Sequence, residues 1–180
     1  MMIDAAFIKI LDVSFLYDDK IFNNYYKDMP EYRRKKIDFF KFKKDKCLSL
    51  GAGILMNELI QHAKKNLHVP ADSASFETAF SEQGKPFFKF LPDLHFSLAH
   101  SGKKVIAALS SNRIGVDVEE IAESPEINLL EWTKAESYTK AAGISLSDYI
   151  EGSIHLPENS CFKQWTEDGY VFCVYEETAQ

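Results

Sequence analysis

The chain carries an alternating stretch, Ile114-Gly115-Val116-Asp117-Val118-Glu119, whose pattern predicts a β-strand. Because the side chains of a strand alternate between its two faces, Asp117 and Glu119 project to one side and the two valines to the other. Glu136 and Lys140 follow, four residues apart in a predicted helix, so they share one helix face. Three carboxylates and a cation brought together would suit a hard divalent metal ion and a phosphate ester.

Two simpler interpretations of these residues stay open at this point. An Asp-x-Glu pair also occurs on the solvent face of ordinary edge strands. Glu136 and Lys140 also suit a surface ion pair worth roughly a few tenths of a kcal/mol. Trp132 lies on the same helical stripe, and we expect it to serve packing.

The composition is that of an ordinary globular protein. The 180 residues are 46% hydrophobic and 13% aromatic, which is enough for one large domain or two small halves. No apolar run approaches the roughly 18 residues that a membrane-spanning helix needs. The start, Met1-Met2-Ile3-Asp4, lacks the basic residues of a signal peptide. The sequence therefore predicts a cytoplasmic protein with no membrane partner.

The three cysteines, Cys47, Cys161 and Cys173, show no metal-type spacing. An odd number of cysteines fits reduced thiols, and we expect all three to lie in the core. The alternative for one pair is that Cys161 and Cys173 face each other across a hairpin.

Charge is distributed unevenly along the chain. The net charge is −6, yet residues 27–46 hold nine basic and four acidic residues, a local balance of +5. Such a segment attracts phosphates or an acidic partner, and the alternative is a solvated helix surface. A plain phosphate-binding or nucleic-acid-binding module built on this segment is a further alternative. The acidic remainder of the chain argues against nucleic acid as a partner.

Hydrophobic periodicity predicts an α+β protein in which helices alternate with antiparallel strands. The strongest helix runs from Asp45 to about Leu67, with Pro70 beyond its end. A second helix is expected from about Pro125 to Ala142, where the next residue, a glycine, is well placed to end it. A weaker helix over residues 28–42 carries the basic segment.

The remaining periodic segments alternate as strands do. They cover residues 3–12, 87–90, 95–99, 104–110, 113–119, 161–166 and 170–175. Ser111-Asn112 suits a two-residue hairpin loop between the strands on either side of it. Glu167-Asp168-Gly169 suits the turn of a terminal hairpin.

Four motifs in a fixed order carry a family resemblance. They are Gly84-Lys85-Pro86, then Phe-Ser-Leu-Ala-His-Ser-Gly at residues 96–102, then the strand at 114–119, then Trp-Thr-Lys-Ala-Glu-Ser-Tyr-Thr-Lys at residues 132–140. In this order they resemble the 4'-phosphopantetheinyl transferases, and more closely the larger, surfactin-synthetase-activator-like branch. Each motif alone is common by chance, whereas four in the family's order within residues 33–143 form a specific pattern.

The resemblance implies an enzyme that transfers the 4'-phosphopantetheine arm of coenzyme A (CoA) to a serine of an acyl or peptidyl carrier protein, with magnesium as cofactor. It also implies two similar α/β halves related by a pseudo-twofold axis, with CoA in the cleft between them. Here the halves would be residues 1–109, with the basic segment and the CoA-contact motifs, and residues 110–180, with the metal site. The second half is short, so we expect it to be truncated. We expect a monomer, with a dimer as the alternative.

The resemblance also assigns roles to the acidic residues and their cation. By position in the motifs, Asp117, Glu119 and Glu136 would hold the metal. Glu136 and Lys140 would be catalytic: the glutamate would accept the proton of the carrier serine, directly or through water, and the lysine would neutralise the pyrophosphate.

Further contacts to CoA follow from the same motifs. His100 would meet the 3'-phosphate, and Lys85 and Pro86 would lie near the nucleotide. Lys46, in the basic segment, would add another phosphate contact. This inventory suits phosphoryl transfer, which depends mainly on positioning and on charge placed around the phosphorus.

The chain departs from the family pattern at several positions. Glu136 comes only nineteen residues after Asp117, a shorter link than the family has, which indicates a deleted segment. Ala135 stands where the family has a lysine, and Ala99 stands where it has a serine. Cys47 replaces a basic residue, although Lys46 adjoins it. These departures support an alternative function, that of a non-catalytic descendant that binds CoA or a carrier protein.

Overall fold

The computed structural model describes residues 6–67, 69, 74–123, 126–152, 155–156 and 161–177. The strands are β1 (Phe7–Asp12), β2 (Thr78–Phe80), β3 (Pro86–Phe88), β4 (His95–Ser101), β5 (Lys104–Ser110), β6 (Ile114–Glu120), β7 (Cys161–Glu167) and β8 (Tyr170–Glu176). The helices are α1 (Asp19–Lys27), α2 (Glu31–Phe39), α3 (Lys43–Asn66), α4 (Leu129–Ala142) and α5 (Leu146–Ile150), with short 3-10 turns at Val13–Tyr17, Ala74–Phe76 and Ile121–Glu123.

The first sheet has the antiparallel order β1-β5-β4 and is covered on one face by α3. The predicted helix from Asp45 to Leu67 is confirmed as α3, because its apolar stripe packs on this sheet. Glycine lets the helix closely approach the 3-10 turn at Val13–Tyr17 and strand β5: a Cβ at Gly51 would come within 2.5 Å of Val13 and 3.3 Å of Val105. Pro70, expected beyond the end of the helix, lies outside the described residues.

The second sheet has the antiparallel order β6-β8-β7, and α4 covers one of its faces. Helix α4 begins at Leu129, after the side chain of Asn128 accepts the amide hydrogen of Glu131. The predicted start at Pro125 lies outside the described residues. The helix ends as predicted, because Gly143 adopts the left-handed conformation at φ 70°.

Strand β6 does not pair with β5, so the predicted hairpin at Ser111-Asn112 is wrong. Those two residues instead connect the first sheet to the second, where β6 pairs with β8. The turn residues alone suited a hairpin, but long-range packing decided the partner strand. The terminal hairpin is confirmed, with Asp168 and Gly169 at positive φ between β7 and β8.

The two three-stranded sheets share one order along the chain: an edge strand, the helix that covers the sheet, the opposite edge strand and then the central strand. Strands β2 and β3 form a separate two-stranded sheet. The mixed α and β content confirms the predicted α+β class. Apolar residues of the two sheets form a shared cluster that includes Ile106 and Ala108 of the first sheet and Val116, Val118 and Phe172 of the second. The pseudo-twofold axis, the truncation and the division into residues 1–109 and 110–180 stay predictions.

The structure corrects two expectations about the cysteines. Cys47 and Cys173 are buried, but Cys161 is exposed on the edge strand β7, so it does not belong to the core. Cys173 lies opposite Gln164 in the hairpin and Cys161 lies opposite Glu176. The two cysteines therefore do not face each other, and all three are free thiols. Among the described residues, no helix is long and apolar enough to cross a membrane.

Candidate active site

The candidate site lies where α4 packs on β6. The fold brings these elements together because Gly115 has no side chain: a Cβ there would clash with the carbonyl oxygen of Ser137 and lie 2.6 Å from the amide nitrogen of Ala141. The face of β6 that carries Asp117 and Glu119 is turned toward α4. The sequence pattern predicted this meeting of the strand pair with the helical stripe.

Lys140 lies between two of the predicted carboxylates. Its Nζ donates to Asp117 Oδ1 at 2.7 Å and lies 3.1 Å from Glu136 Oε2. The Asp117 side chain is 4% exposed, that of Glu136 22% and that of Lys140 32%. Lys140 and Glu136 therefore lie nearer the surface, and Asp117 is buried beneath them. Burial lowers the pKa of Lys140, but the charges of Asp117 and Glu136 outweigh it and the pKa is raised.

Asp117 is the most perturbed of the acids. Burial raises its pKa to about 7, and the negative charges of Glu136 and Glu119 act in the same direction against the opposing effect of Lys140. Its second oxygen, Oδ2, is buried and has no hydrogen-bond partner among the described residues. A buried carboxylate oxygen without a partner carries a large desolvation penalty, which a cation at that position would offset.

Glu119 is held by neighbours from two elements. Ser101 Oγ donates to Glu119 Oε2 at 3.0 Å and accepts the amide hydrogen of Glu120. Burial raises the pKa of Glu119, while the hydrogen bonds from Ser101 and Trp132 oppose the rise. Trp132, expected to serve packing, is half-buried and also lies close enough to this carboxylate to oppose the rise in its pKa. Ser101 had no predicted role, although it stands in the His-Ser-Gly motif.

His100 precedes Ser101 on β4, and its side chain is exposed. Desolvation by surrounding protein atoms lowers its pKa, and the positive charges of Lys140 and Lys36 act in the same direction. The negative charge of Asp45, near the start of α3, opposes them. His100 thus lies in the electrostatic neighbourhood of both the α4 site and the basic segment.

Lys85 contacts the far end of α4. Its Nζ donates to the carbonyl oxygen of Ala141 at 2.8 Å, where it satisfies an acceptor that the helix itself leaves open. Burial lowers the pKa of Lys85 to about 8, and the nearby charge of Arg113 adds to this effect. Pro86 begins β3 and is half-buried. The structure therefore gives Lys85 a helix-capping contact that the sequence analysis did not predict.

The basic segment includes α2 and the start of α3, and several of its lysines form ion pairs with acidic residues. Lys35 pairs with Glu31, Lys43 with Asp19 and Lys44 with Glu123. Lys46 is half-buried and has no ion pair with a described residue. The contact of Lys46 with a phosphate stays a prediction.

The predicted metal ligands are brought together but do not form a ready-made metal site. Within the described parts of the chain, no group of three acidic, histidine or cysteine side chains is arranged to hold a metal ion. Where such a group would stand, the ammonium of Lys140 occupies the space between Asp117 and Glu136. The assignment of Asp117, Glu119 and Glu136 to a metal stays a prediction.

Comparison with known proteins gives a consistent result. A 4'-phosphopantetheinyl transferase of Bacillus subtilis is 32% identical over a match that covers 56% of this chain and 52% of the relative. The transferase Sfp of Bacillus subtilis strain 168 is 34% identical over 90 residues, which cover 50% of this chain and 38% of the relative. Over about half of its length, the chain is thus similar in sequence to proteins named as 4'-phosphopantetheinyl transferases.

A third relative shows how far this similarity extends along the chain. The transferase gsp of Aneurinibacillus migulanus is 28% identical over 122 residues, which cover 68% of this chain and 47% of the relative. The chain thus spans about half the length of the curated transferases it matches, or less. No protein-family model matches the chain.

Proposed function

We propose that this chain transfers the 4'-phosphopantetheine arm of CoA to a serine of an acyl or peptidyl carrier protein. The observation that carries the proposal is the contact of Lys140 with Asp117 and Glu136 on β6 and α4, which hold two of the four family motifs. The homologous proteins, named as 4'-phosphopantetheinyl transferases, support the same chemistry. Phosphoryl transfer requires this mixture of anions and cations around one phosphorus.

The carboxylates at this site support magnesium as the cofactor in this proposal. Carboxylate oxygens are the ligands that this hard cation prefers, and the buried Oδ2 of Asp117 lacks a partner that a cation would supply. Asp117, Glu119 and Glu136 would hold the ion. Bound magnesium supplies positive charge that offsets the charge on the transferring phosphoryl oxygens.

Three side chains of the chain would accept the proton and contact the phosphates of CoA. Glu136 Oε2 lies at the half-buried edge of the site and would accept the proton of the carrier serine, directly or through water. Lys140 would place its ammonium against the pyrophosphate. His100, between this site and the basic segment, would meet the 3'-phosphate.

The outer parts of CoA would be held by the first half of the chain. Lys46 would add a phosphate contact. Lys85 and Pro86 would lie near the nucleotide. The proposal includes the cytoplasmic location and the monomeric state that the sequence predicts, with a dimer as the alternative.

A transfer assay tests the proposal. Purified chain is incubated with CoA, magnesium and several apo carrier proteins, and the mass of each carrier is followed for gain of the phosphopantetheine group. The proposal predicts a gain that is lost in Asp117→Ala and kept in Glu131→Gln, because Glu131 is an exposed acid of α4. Transfer at the parent rate by Asp117→Ala would show that the metal assignment is wrong.

The same assay separates the second candidate, a non-catalytic protein that binds CoA or a carrier protein. The short link between Asp117 and Glu136 and the alanines at positions 99 and 135 favour this candidate. It predicts no mass gain with any carrier, together with CoA binding that calorimetry still detects. That pair of results would exclude the enzyme.

A further inference from the structure

Lys140 is anchored by carboxylates and yet reaches the surface. Its ammonium contacts both Asp117 Oδ1 at 2.7 Å and Glu136 Oε2 at 3.1 Å, while about a third of its side chain, 32%, stays exposed. Asp117 cannot follow it outward, because that side chain is 4% exposed and stands on a central part of β6. The lysine is therefore the mobile partner in this ion pair, and the buried aspartate is the fixed one.

The lysine and a divalent cation would use the same oxygens. Asp117 Oδ1 and Glu136 Oε2 are the atoms that contact the ammonium, and both belong to the predicted metal ligands. A unit positive charge within a few ångströms of a divalent cation at a partly buried site is strongly unfavourable. Metal binding by these two carboxylates therefore requires that the ammonium leave them.

Leaving the carboxylates costs less when another anion receives the lysine. Pulling the ammonium away without a replacement would strand two partly buried charges, which is costly. An anion at the outer side of the site, such as a pyrophosphate, would accept the ammonium through charge-assisted hydrogen bonds. The exposed third of the side chain gives the ammonium a route in that direction.

We propose that Lys140 is an exchangeable counter-ion that links metal binding to pyrophosphate binding. Without ligands it neutralises Asp117 and Glu136 and keeps the divalent cation affinity low. When the pyrophosphate of CoA takes the ammonium, the carboxylates are released to the metal. This inference rests on the proposed function for the identity of the anion, and by linkage the metal and CoA strengthen each other's binding equally.

The decisive measurement is the affinity for Mn²⁺ alone, without any phosphate, by electron paramagnetic resonance. Lys140→Met removes the competing cation, so it should bind Mn²⁺ about tenfold or more tightly than the parent chain, within the usual range of coupling between sites. Lys140→Arg keeps the charge and should retain the weak affinity. Lys134→Met, which removes a lysine paired with Glu131 on the same helix, should leave the affinity unchanged.

The titrations are run at about pH 8 and pH 9, so that proton competition for the carboxylates is separated from lysine competition. Circular dichroism checks that each variant is folded. A folded Lys140→Met that binds Mn²⁺ no more tightly than the parent at both pH values would overturn the proposal. That result would mean that the lysine is a permanent structural partner and that the metal uses other oxygens.

A second measurement tests the link to the anion. CoA affinity is measured by calorimetry in EDTA and in saturating Mg²⁺. The affinity in Mg²⁺ divided by the affinity in EDTA is then compared between the parent and Lys140→Met. The ratio should be smaller in Lys140→Met than in the parent, because only direct contact between metal and pyrophosphate remains. An unchanged ratio would overturn the link.

These measurements stand apart from the transfer assay. Tighter Mn²⁺ binding by Lys140→Met together with no carrier modification would retain the counter-ion and exclude the transferase. Carrier modification by the parent chain, together with an unchanged Mn²⁺ affinity in Lys140→Met, would support the transferase and exclude the counter-ion role of Lys140.

Discussion

Asp117 is a buried carboxyl group whose pKa is raised. The β6 strand and the α4 helix together leave its carboxyl 4% exposed, one oxygen paired with Lys140 and the other without a partner among the described residues. Burial holds its pKa near 7, well above the ordinary value of 3.8. A carboxyl in this state responds to protons and cations over the pH range in which most surface acids stay ionised.

The raised pKa of Asp117 predicts a pH dependence of stability. Between the unfolded value of 3.8 and the folded value of about 7, the folded protein holds a proton that the unfolded chain releases. The stabilisation is therefore full at low pH and is lost as pH rises through about 7. Relative to Asp117→Asn, the free energy of unfolding of the parent should fall across this window in urea titrations. Parallel pH profiles for the two proteins would contradict the prediction.

Gly115 decides how closely α4 can approach β6. A Cβ at this position would meet backbone atoms of Ser137 and Ala141, which cannot move without shifting the whole helix. Gly115→Ala should therefore lower the free energy of unfolding by about 3 kcal/mol or more. Gly53→Ala is the matched control, because there the nearest atom is the flexible thioether sulfur of Met29 at 2.8 Å. Equal losses in the two variants, measured by urea unfolding, would show that the close approach at Gly115 is unimportant.

At the scale of elements, β6 is held from three directions. It pairs with β8 along one edge, and α4 covers one of its faces. Along its other edge, two serine hydroxyls of β4 accept amide hydrogens of β6: Ser97 that of Val116 and Ser101 that of Glu120. The side chains of the first sheet thus complete the hydrogen bonding of the second sheet at the candidate site.

The Ser97 contact predicts a measurable link between the sheets. Ser97→Ala removes the acceptor of a buried amide, so the free energy of unfolding should fall by about 1–3 kcal/mol. Ser111→Ala, a more exposed serine in the connection that follows β5, should change it by less than about 0.5 kcal/mol. Thermal unfolding of both variants measures the difference. A neutral Ser97→Ala would mean that water replaces the hydroxyl.

At the scale of the whole molecule, the two sheets share one apolar cluster. Phe172 of β8 is 1% exposed and stacks on Trp165, and the cluster also contains Ile106 of β5. Apolar burial stabilises the two sheets jointly, because neither covers this face alone. Ser101 of the first sheet donates to Glu119 of the second, so the geometry of the candidate site depends on both sheets.

This shared cluster predicts that the two sheets unfold together. Phe172→Leu should destabilise the chain by about 1–2 kcal/mol. Hydrogen exchange should show the same loss of protection for amides of β5 as for amides of β8. Phe80→Leu, at a side chain that is 64% exposed, serves as the control and should leave both sets unchanged. Loss of protection confined to β8 would show that the two sheets unfold independently.

Local signals predicted most of the helices and strands that surround the site. Short stretches of sequence are enough to predict three of these features: the apolar stripe of α3, the glycine that ends α4 and the Asp-Gly turn of the last hairpin. Helix α1 was missed, although Asp18 is a readable N-cap that accepts two amide hydrogens. Strand β2 was missed because its three residues are too few to show a period.

The sequence by itself determined which residues share the candidate site, because the periods of a strand and a helix place Asp117 with Glu119 and Glu136 with Lys140. The tertiary structure alone decided that β6 leaves β5 to pair with β8, since turn chemistry does not select a distant partner. It also decided that Lys140 lies between Asp117 and Glu136 and that Lys85 caps α4. Those contacts depend on burial, which only the packing of distant segments creates.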